Sequence, residues 1–355
     1  MPPEIMSRRW GAKPLSTWPL STWLWTAALL ALAVAAPFFL YPVFLMRALC
    51  VALFACAFNL LLGYVGLLSF GHAAFLGTGA YIAAHALKVW GLPTVPGLLC
   101  GTVAGAALGA VIGWLAIRRQ GIYFAMVTLA FAQMVYFFAL QAPFTGGENG
   151  IQGVPRGHLF GLVDLSHPLA MYYFVLAVFL FGFGLIVRAI YSPFGQVLTA
   201  IRENEPRAVS LGYRTDQYKL LAFVLSAALA ALAGALKAQV LQFASISDVY
   251  WTTSGEVVLM TLVGGMGTIL GPVVGAFVVV TMETYLSQAG SWVTIIQGAI
   301  FVFCVLAFRR GIVGVIAPYL TGGRTAASPQ SAAGASGDRG HPAPDRVVDA
   351  TSRPR

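Results

Sequence analysis

Apolar positions run together along this chain in long blocks, and charged residues fall between the blocks rather than within them. Charge-free runs cover residues 20–44, 48–87, 89–117, 120–147, 165–187, 220–236, 257–282 and 284–308. A hydrocarbon layer of about 30 Å is crossed by about 20 apolar helical residues, so the pattern predicts a series of membrane-spanning helices. The run 48–87 is too long for one span even when tilted. It predicts a hairpin of two spans that turns near Gly63 and Gly66.

Basic residues assign the sides, because short loops rich in Lys and Arg stay in the cytoplasm. Arg8, Arg9 and Lys13 precede the first run, Arg118 and Arg119 follow the run 89–117, Arg188 to Lys219 hold a cluster, and Arg309 with Arg310 follow the last run. All four groups are assigned to the cytoplasm. The loop 143–168, with Glu148, Arg156 and Asp164, then falls on the outer face. Alternation also requires an even number of crossings between Lys219 and Arg309. Residues 220–241 and 292–308 account for two, so 256–283 crosses zero or two times. That segment is too short for two complete spans and carries Gly264, Gly265, Gly267, Gly271, Pro272 and Gly275. It is expected to be a broken or re-entrant helical pair. Non-helical backbone is tolerated at membrane depth only where protein or a water-filled cavity satisfies its polar groups; close helix packing through small residues is the other use of such glycines.

Composition narrows the class. Only 9% of residues are charged and 59% are apolar, against roughly 25% charged in a soluble domain, and the mean hydropathy is +0.81. A water-soluble core cannot hide so much apolar surface. The formal charge of +9 lies in flanks and loops that orient spans, so nucleic-acid binding is not expected. Cys50, Cys56, Cys100 and Cys304 stand in apolar stretches without paired spacing and read as small buried hydrophobes, not as a metal or disulfide framework. Ser7-Arg8-Arg9 and Ala33-Val34-Ala35 look superficially like export-signal features. The run 20–44 exceeds a signal core and more spans follow, so an uncleaved first helix is expected. The final residues from about 321, rich in Ala, Gly, Ser and Pro, are expected to be disordered.

No phosphate-binding loop of the G-x-x-x-x-G-K-[ST] type occurs, nor H-E-x-x-H, nor a Ser, His and acid constellation. Neither catalytic residues, a metal nor a cofactor is expected. What stands out is glycine placement. The run 59–81 carries Gly63, Gly66, Gly71, Gly77 and Gly79 around Ser69 and His72, and 262–277 carries the second set. Such density either lets backbones approach closely or lets a helix open and expose amides to a solute. Breaks at corresponding places in two halves of a chain point to a transport site. Ser69, Gly71, His72, Gly77, Gly79, Gly264, Gly265 and Gly267 are therefore candidate pathway residues. A helix-to-helix hydrogen bond is the plainer use of His72.

In the polar loop 192–213, Asn204 is a candidate N-cap, Glu205 and Pro206 open a short helix, and Gly212 ends it. Ala208, Val209 and Leu211 would form one small apolar face suited to a soluble partner. Packing of that face against the chain's own spans is the alternative.

Together these segments resemble the LivM-type permeases of branched-chain amino-acid ABC transporters. The resemblance rests on 59–80, on Gly121-Ile122-Tyr123-Phe124-Ala125-Met126-Val127-Thr128-Leu129-Ala130, on Thr145-Gly146-Gly147-Glu148-Asn149-Gly150-Ile151, on Ala200 to Glu205, on Tyr218 to Phe223 and on Gly264-Gly265-Met266-Gly267-Thr268, and covers about residues 40–315. It implies an all-α polytopic membrane protein of the LivHM-type ABC importer permease fold, with about eight full transmembrane helices plus a broken or re-entrant helical pair. It further implies a bacterial inner-membrane location, a LivH-type second permease, two ATP-binding cassette subunits and a periplasmic amino-acid-binding protein. The ATPase-coupling segment would lie at 191–216, with Arg202, Glu203, Glu205, Arg207, Ala208 and Gly212. It is similar to the E-A-A-x-x-x-G pattern of importer permeases, although Pro206 and Arg207 stand where Glu and Ala are usual. The expected layout is a cytoplasmic segment 1–19, a permease domain 20–310 and a cytoplasmic tail 311–355. A related importer for urea, short amides or other small polar solutes shares these motifs. An ion-coupled carrier would need membrane-buried acids, for which Glu256 and Glu283, both read as near span ends, are the candidates, and a membrane enzyme is the remaining rival.

Overall fold

Proline decides where the first helices stop and start. The computed structural model describes residues 31–159 and 163–286, with isolated positions between 295 and 314. Residues 31–35 are helical, a 3-10 turn follows at Ala36–Phe38 around Pro37, and α1 (Pro42–Asn59) opens on Pro42. Proline suits a helix start because it lacks only an amide that would be unpaired there. The last residues of the run 20–44 thus belong to the next helix, a correction that the two prolines explain.

The remaining elements follow in order: α2 (His72–Lys88), α3 (Thr94–Ala116), α4 (Ile122–Gln141), α5 (Pro168–Tyr191), α6 (Pro193–Glu203), α7 (Glu205–Ser210), α8 (Thr215–Leu241), α9 (Trp251–Gly264) and α10 (Gly271–Leu286). Small strands stitch the loops: β1 (Ile151–Gln152) pairs antiparallel with β4 (Phe243–Ala244), and β2 (His158–Leu159) with β3 (Val163–Asp164). The family of long apolar helices is as expected. Its count is not. Among the described residues five helices are long and apolar enough to cross a membrane, namely α1 with its extension to Val65, α3, α4, α5 and α8. Helix α2 has only 17 residues, the run 284–308 lies almost wholly outside the described residues, and so do the segment 1–19 and the tail from 321.

The long run 48–87 does form a hairpin. Helix α1 widens into a π-helical segment, Leu60–Val65, and Gly66 ends it with φ +82°. That backbone conformation favours glycine. The chain reverses over 66–71, so Gly66 marks the turn while Gly63 lies within the π segment. The segment expected to break does so: α9 and α10, 14 and 16 residues long, are joined through 265–270. At about 1.5 Å per residue α9 does not match a full span, and α10 is described as far as Leu286.

Helix α8 lies at the centre, packed on α2, α3 and α1, and the α9–α10 hairpin also packs on α1. Small residues permit the closest contacts. A Cβ on Gly234 would stand 1.9 Å from the Leu76 carbonyl oxygen, and one on Gly79 would stand 2.1 Å from the Ala231 carbonyl oxygen. Between such faces, dispersion and shape fit hold helices together without a hydrophobic driving force from lipid.

Contacts sort the helix ends into two groups. At one, Gln120 donates to Glu205 (3.1 Å) and Arg202 donates to the Gly63 carbonyl. At the other, Lys88 donates to the Gln152 carbonyl (2.6 Å) and Arg156 to the Val240 carbonyl (3.0 Å). The first group is the basic end assigned to the cytoplasm from charge alternation, and the second holds the loop assigned to the outer face.

Gly234→Val should lower the thermal unfolding midpoint in detergent, at a cost of about 1–3 kcal/mol from overpacking. Gly184→Ala, where an added Cβ meets nothing within 4 Å, should leave it unchanged; equal midpoints for both variants would show that the α2–α8 contact is not tight.

Candidate functional site

Three separate pieces of chain converge at the basic end: α6, the π-helical end of α1, and the turn between α9 and α10. Helix α6 is amphipathic, with Leu198 and Ile201 buried beneath a polar outer face. Its Arg202 reaches inward, donates to the Gly63 carbonyl, and lays its stem against Gly66. A π-helical turn shifts the usual hydrogen-bond ladder, and the guanidinium supplies a donor there.

On the membrane side of that contact stands Asn59, almost fully buried. Its Nδ2 donates to the Thr268 carbonyl (2.9 Å), and its Oδ1 accepts from the Gly267 amide (3.0 Å). One side-chain amide thereby satisfies a donor and an acceptor of the 265–270 turn. Thr268 completes the set, donating through Oγ1 to the Gly265 carbonyl (2.7 Å) and accepting from the Gly271 amide (3.1 Å). Gly265 (φ +121°) and Gly267 (φ +76°) permit this path. Gly264 closes the hairpin, since a Cβ there would fall 1.9 Å from the Gly271 carbonyl oxygen.

Helix α7 hangs beneath this junction. Asn204 caps it by accepting from the Arg207 amide (3.0 Å), Pro206 stands in its first turn, and Gly212 at φ +88° follows its end. A helix of six residues is not stable alone, and three anchors hold it: the cap, buried Ala208, and an ion pair between Glu205 and Lys219 of α8. Lys219 is 97% shielded from solvent at its side chain, being 3% exposed. The expected apolar face is divided. Ala208 packs inward because the ion pair pulls that side of α7 onto α8, while Val209, Leu211 and Tyr213 remain exposed. Glu203 and Arg207 are also exposed.

The other glycine-rich segment is placed differently. Ser69 and His72 are fully buried. Ser69 Oγ accepts from the Gly71 amide (3.2 Å), and His72 Nε2 shares a hydrogen bond of 2.9 Å with Ser226 Oγ, which itself donates to the Ala57 carbonyl (2.5 Å). Phe58, Phe75 and Phe223 meet the imidazole edge-on. Gly77 and Gly79 lie in unbroken α2, against Val249 and Ala231. Of the two uses of glycine density, close approach is the one found in α2, and non-helical backbone is the one found at 265–270.

Sequence reasoning passed over Asn59, Arg47 and Lys237. Each had a faint signal, a polar or charged residue isolated in an apolar run. Arg47 pairs with Glu283 (2.8 Å) and Lys237 with Asp248 (2.7 Å). Glu256 lies one and a half turns inside α9 rather than at a helix end, because the helix starts earlier, at Trp251.

Comparison with known proteins agrees with this architecture. Residues 41–305 match the family described as branched-chain amino acid transport system / permease component. The chain is 29% identical over 285 residues to the high-affinity branched-chain amino acid transport system permease protein LivM of Salmonella typhimurium, covering 74% of this chain and 67% of that protein. Over 290 residues it is 29% identical to LivM of Escherichia coli, with the same coverage. It is also 29% identical over 214 residues to the autoinducer 2 import system permease protein LsrC of Salmonella paratyphi B, covering 58% of this chain and 57% of that protein. No solved structure matches.

Asn59→Leu should strand the Gly267 amide and the Thr268 carbonyl, at about 1–3 kcal/mol for each buried group. The measurement is hydrogen exchange at Gly267 in the detergent-solubilised chain, expected to quicken in the variant; unchanged protection would mean that other contacts hold the turn.

Proposed function

Because the chain belongs to the family of branched-chain amino acid transport permease components, we propose that it forms half of the membrane channel of an ATP-driven importer for branched-chain or other hydrophobic amino acids. Its location would be the bacterial inner membrane. A second, LivH-type permease would complete the channel, two ATP-binding cassette subunits would dock on the basic end, and a periplasmic amino-acid-binding protein would deliver solute to the outer loops. ATP hydrolysis lies in the partner chains, so this chain acts as a transporter component and not as an enzyme.

The observation that carries the reading is the bond from Arg202 to the Gly63 carbonyl. It connects a solvent-facing helix pair to broken backbone inside the bundle. Exposed Val209, Leu211 and Tyr213 offer the ATP-binding subunits a small apolar contact. Closure of those subunits would displace α7. The Glu205–Lys219 pair passes that displacement to α8, and Arg202 passes it to the π-helical end of α1 and, through Asn59, to the 265–270 turn. Alternating access follows when ATP favours one of the two arrangements over the other, since only differential affinity shifts such an equilibrium.

In this reading the solute route runs beside the α9–α10 hairpin, with Gly264, Gly265 and Gly267 at its inner end, and the buried contacts of Ser69, Gly71, His72, Gly77 and Gly79 form the wall against which the hairpin moves. The similarity to LsrC, whose name specifies autoinducer 2 import, supports one second reading: the same architecture serving another small solute delivered by a different binding protein.

Two variants test coupling. Deletion of residues 205–212 should abolish uptake by the reconstituted importer while membrane insertion persists, and normal uptake by that variant would sink the coupling role of α7. Arg202→Gln should reduce uptake by about 5- to 150-fold, the usual range of a coupling free energy, while the partner subunits go on hydrolysing ATP. Parallel loss of assembly would instead mark Arg202 as structural.

A further inference from the structure

The turn between α3 and α4, residues 117–121, stands at the basic end of the bundle. Residues 118–121 and 188–219, which form that end, hold seven Lys or Arg and three Asp or Glu, so basic side chains there outnumber the acids that could neutralise them. Arg118 and Arg119 are among the unbalanced ones. Both are exposed, and neither side chain makes an ion pair or hydrogen bond among the described residues. Glu205, the acid tied to this turn, already takes Lys219 on one oxygen and Gln120 on the other (3.1 Å).

Exposed arginines are ordinary in water, but Arg118 is not turned to water alone. Its guanidinium carbon lies 5.4 Å from the ring centroid of Trp114, one turn earlier in the chain, in a cation–π contact. Trp114 is itself exposed on a helix long and apolar enough to cross lipid, and so is Tyr123 in the first turn of α4. Amphipathic rings of this kind settle at the headgroup level of a bilayer, and Trp114 holds Arg118 at that level. Leu115 and Met126 continue the exposed surface towards the hydrocarbon. Helix α3 is held by α2 and α8, and its contact with α4 is slight. From water inwards the order is two unpaired guanidinium forks, two aromatic rings, and the aliphatic side chains of two loosely joined helices. A molecule that matches this order carries a phosphate anion at one end and acyl chains at the other.

We propose that the α3–α4 turn is a binding site for an anionic phospholipid of the cytoplasmic leaflet, with Arg118 and Arg119 on its phosphate, Trp114 and Tyr123 beside its glycerol, and Leu115 and Met126 against its chains. A guanidinium fork meets two phosphate oxygens at once, and the negative surface of that leaflet adds its own attraction for clustered basic residues. Free phosphate would satisfy the guanidinium groups but leave the rings and the aliphatic face unused. The site is also tied to α7, because Gln120 follows Arg119 in the turn and donates to Glu205. A lipid that holds the turn therefore steadies the carboxylate that anchors α7 to α8. That consequence, unlike the site itself, rests on the importer reading above.

The test is photolabelling of the complete importer in lipid nanodiscs, using a phosphatidylglycerol with a diazirine near the head of one acyl chain, in a phosphatidylcholine background. Label should concentrate on residues 111–126, inorganic phosphate should not displace it, and the matching photoactive phosphatidylcholine should label that segment more weakly. Arg118→Gln and Arg119→Gln should each cut phosphatidylglycerol labelling there about fivefold, the share of one basic residue at an anionic surface. Arg188→Gln, exposed at the same end but on α5, which packs on α1, should leave it unchanged. Equal labelling by both lipids, displacement by phosphate, or an equal loss in Arg188→Gln would overturn the site in favour of general lipid contact, a free anion or diffuse surface charge. Absence of label from 111–126 in the assembled importer would assign this face to a protein partner and overturn the site as well. Solute uptake by the same importer in liposomes reads the tie to α7: phosphatidylglycerol should raise uptake, and Gln120→Leu should remove that gain with labelling intact. Labelling without any effect of phosphatidylglycerol on uptake rejects that tie alone, while absence of all uptake rejects the importer reading and leaves the lipid site standing.

Discussion

Inside a bilayer a backbone amide or carbonyl without a partner costs several kcal/mol, because no water is present to replace the lost bond. The α9–α10 hairpin meets that constraint directly, since α9 is too short for a full span and the turn at 265–270 lies against the end of α1. Asn59 and Thr268 satisfy the amides of Gly267 and Gly271 and the carbonyls of Gly265 and Thr268. Arg202 does the same for Gly63 in the adjoining π-helical segment. Both repairs come from side chains distant in sequence. The broken backbone is consequently tied to α1 and to the solvent-facing α6, and none of the three can shift without the others responding.

The rest of the bundle divides around this junction. Helices α2, α3 and α8 meet through Gly and Ala faces so close that added side chains would collide with backbone oxygen. Such interfaces move as blocks, because densely packed contacts resist gradual deformation. The α9–α10 hairpin packs on α1 as well, with polar groups and a charged cavity at its borders. In the proposed mechanism a block and a hairpin sharing one helix are the two moving parts of alternating access, and α7 is the handle.

Much of this was legible in the residue pattern. The spans, the turn at Gly66, the break near Gly264 to Gly271 and the cap at Asn204 each express a local rule: span length, glycine at positive φ, unmatched crossing number, a side-chain oxygen before a helix. Other features follow no local rule. Ala208 faces inward because Glu205 is drawn to Lys219, a pairing across the end of α7 that hydropathy cannot reveal. His72 is a helix contact because Ser226 happens to stand opposite it. Asn59 resembles any other polar residue in an apolar run until the 265–270 turn is seen beside it.

Membrane residence, the alternation of ends and the family resemblance were set by composition and by the order of charged and glycine-rich segments, all of which act over one span or one turn. Which glycine closes a contact and which one breaks a helix was decided by the neighbouring helix. Gly79 and Gly267 sit in similar sequence surroundings, yet one meets the Ala231 backbone in an intact helix and the other depends on Asn59 for its amide bond. The physical reason is range. Propensity and hydropathy are properties of a residue and its near neighbours, whereas satisfying a buried polar group requires a partner delivered by the fold.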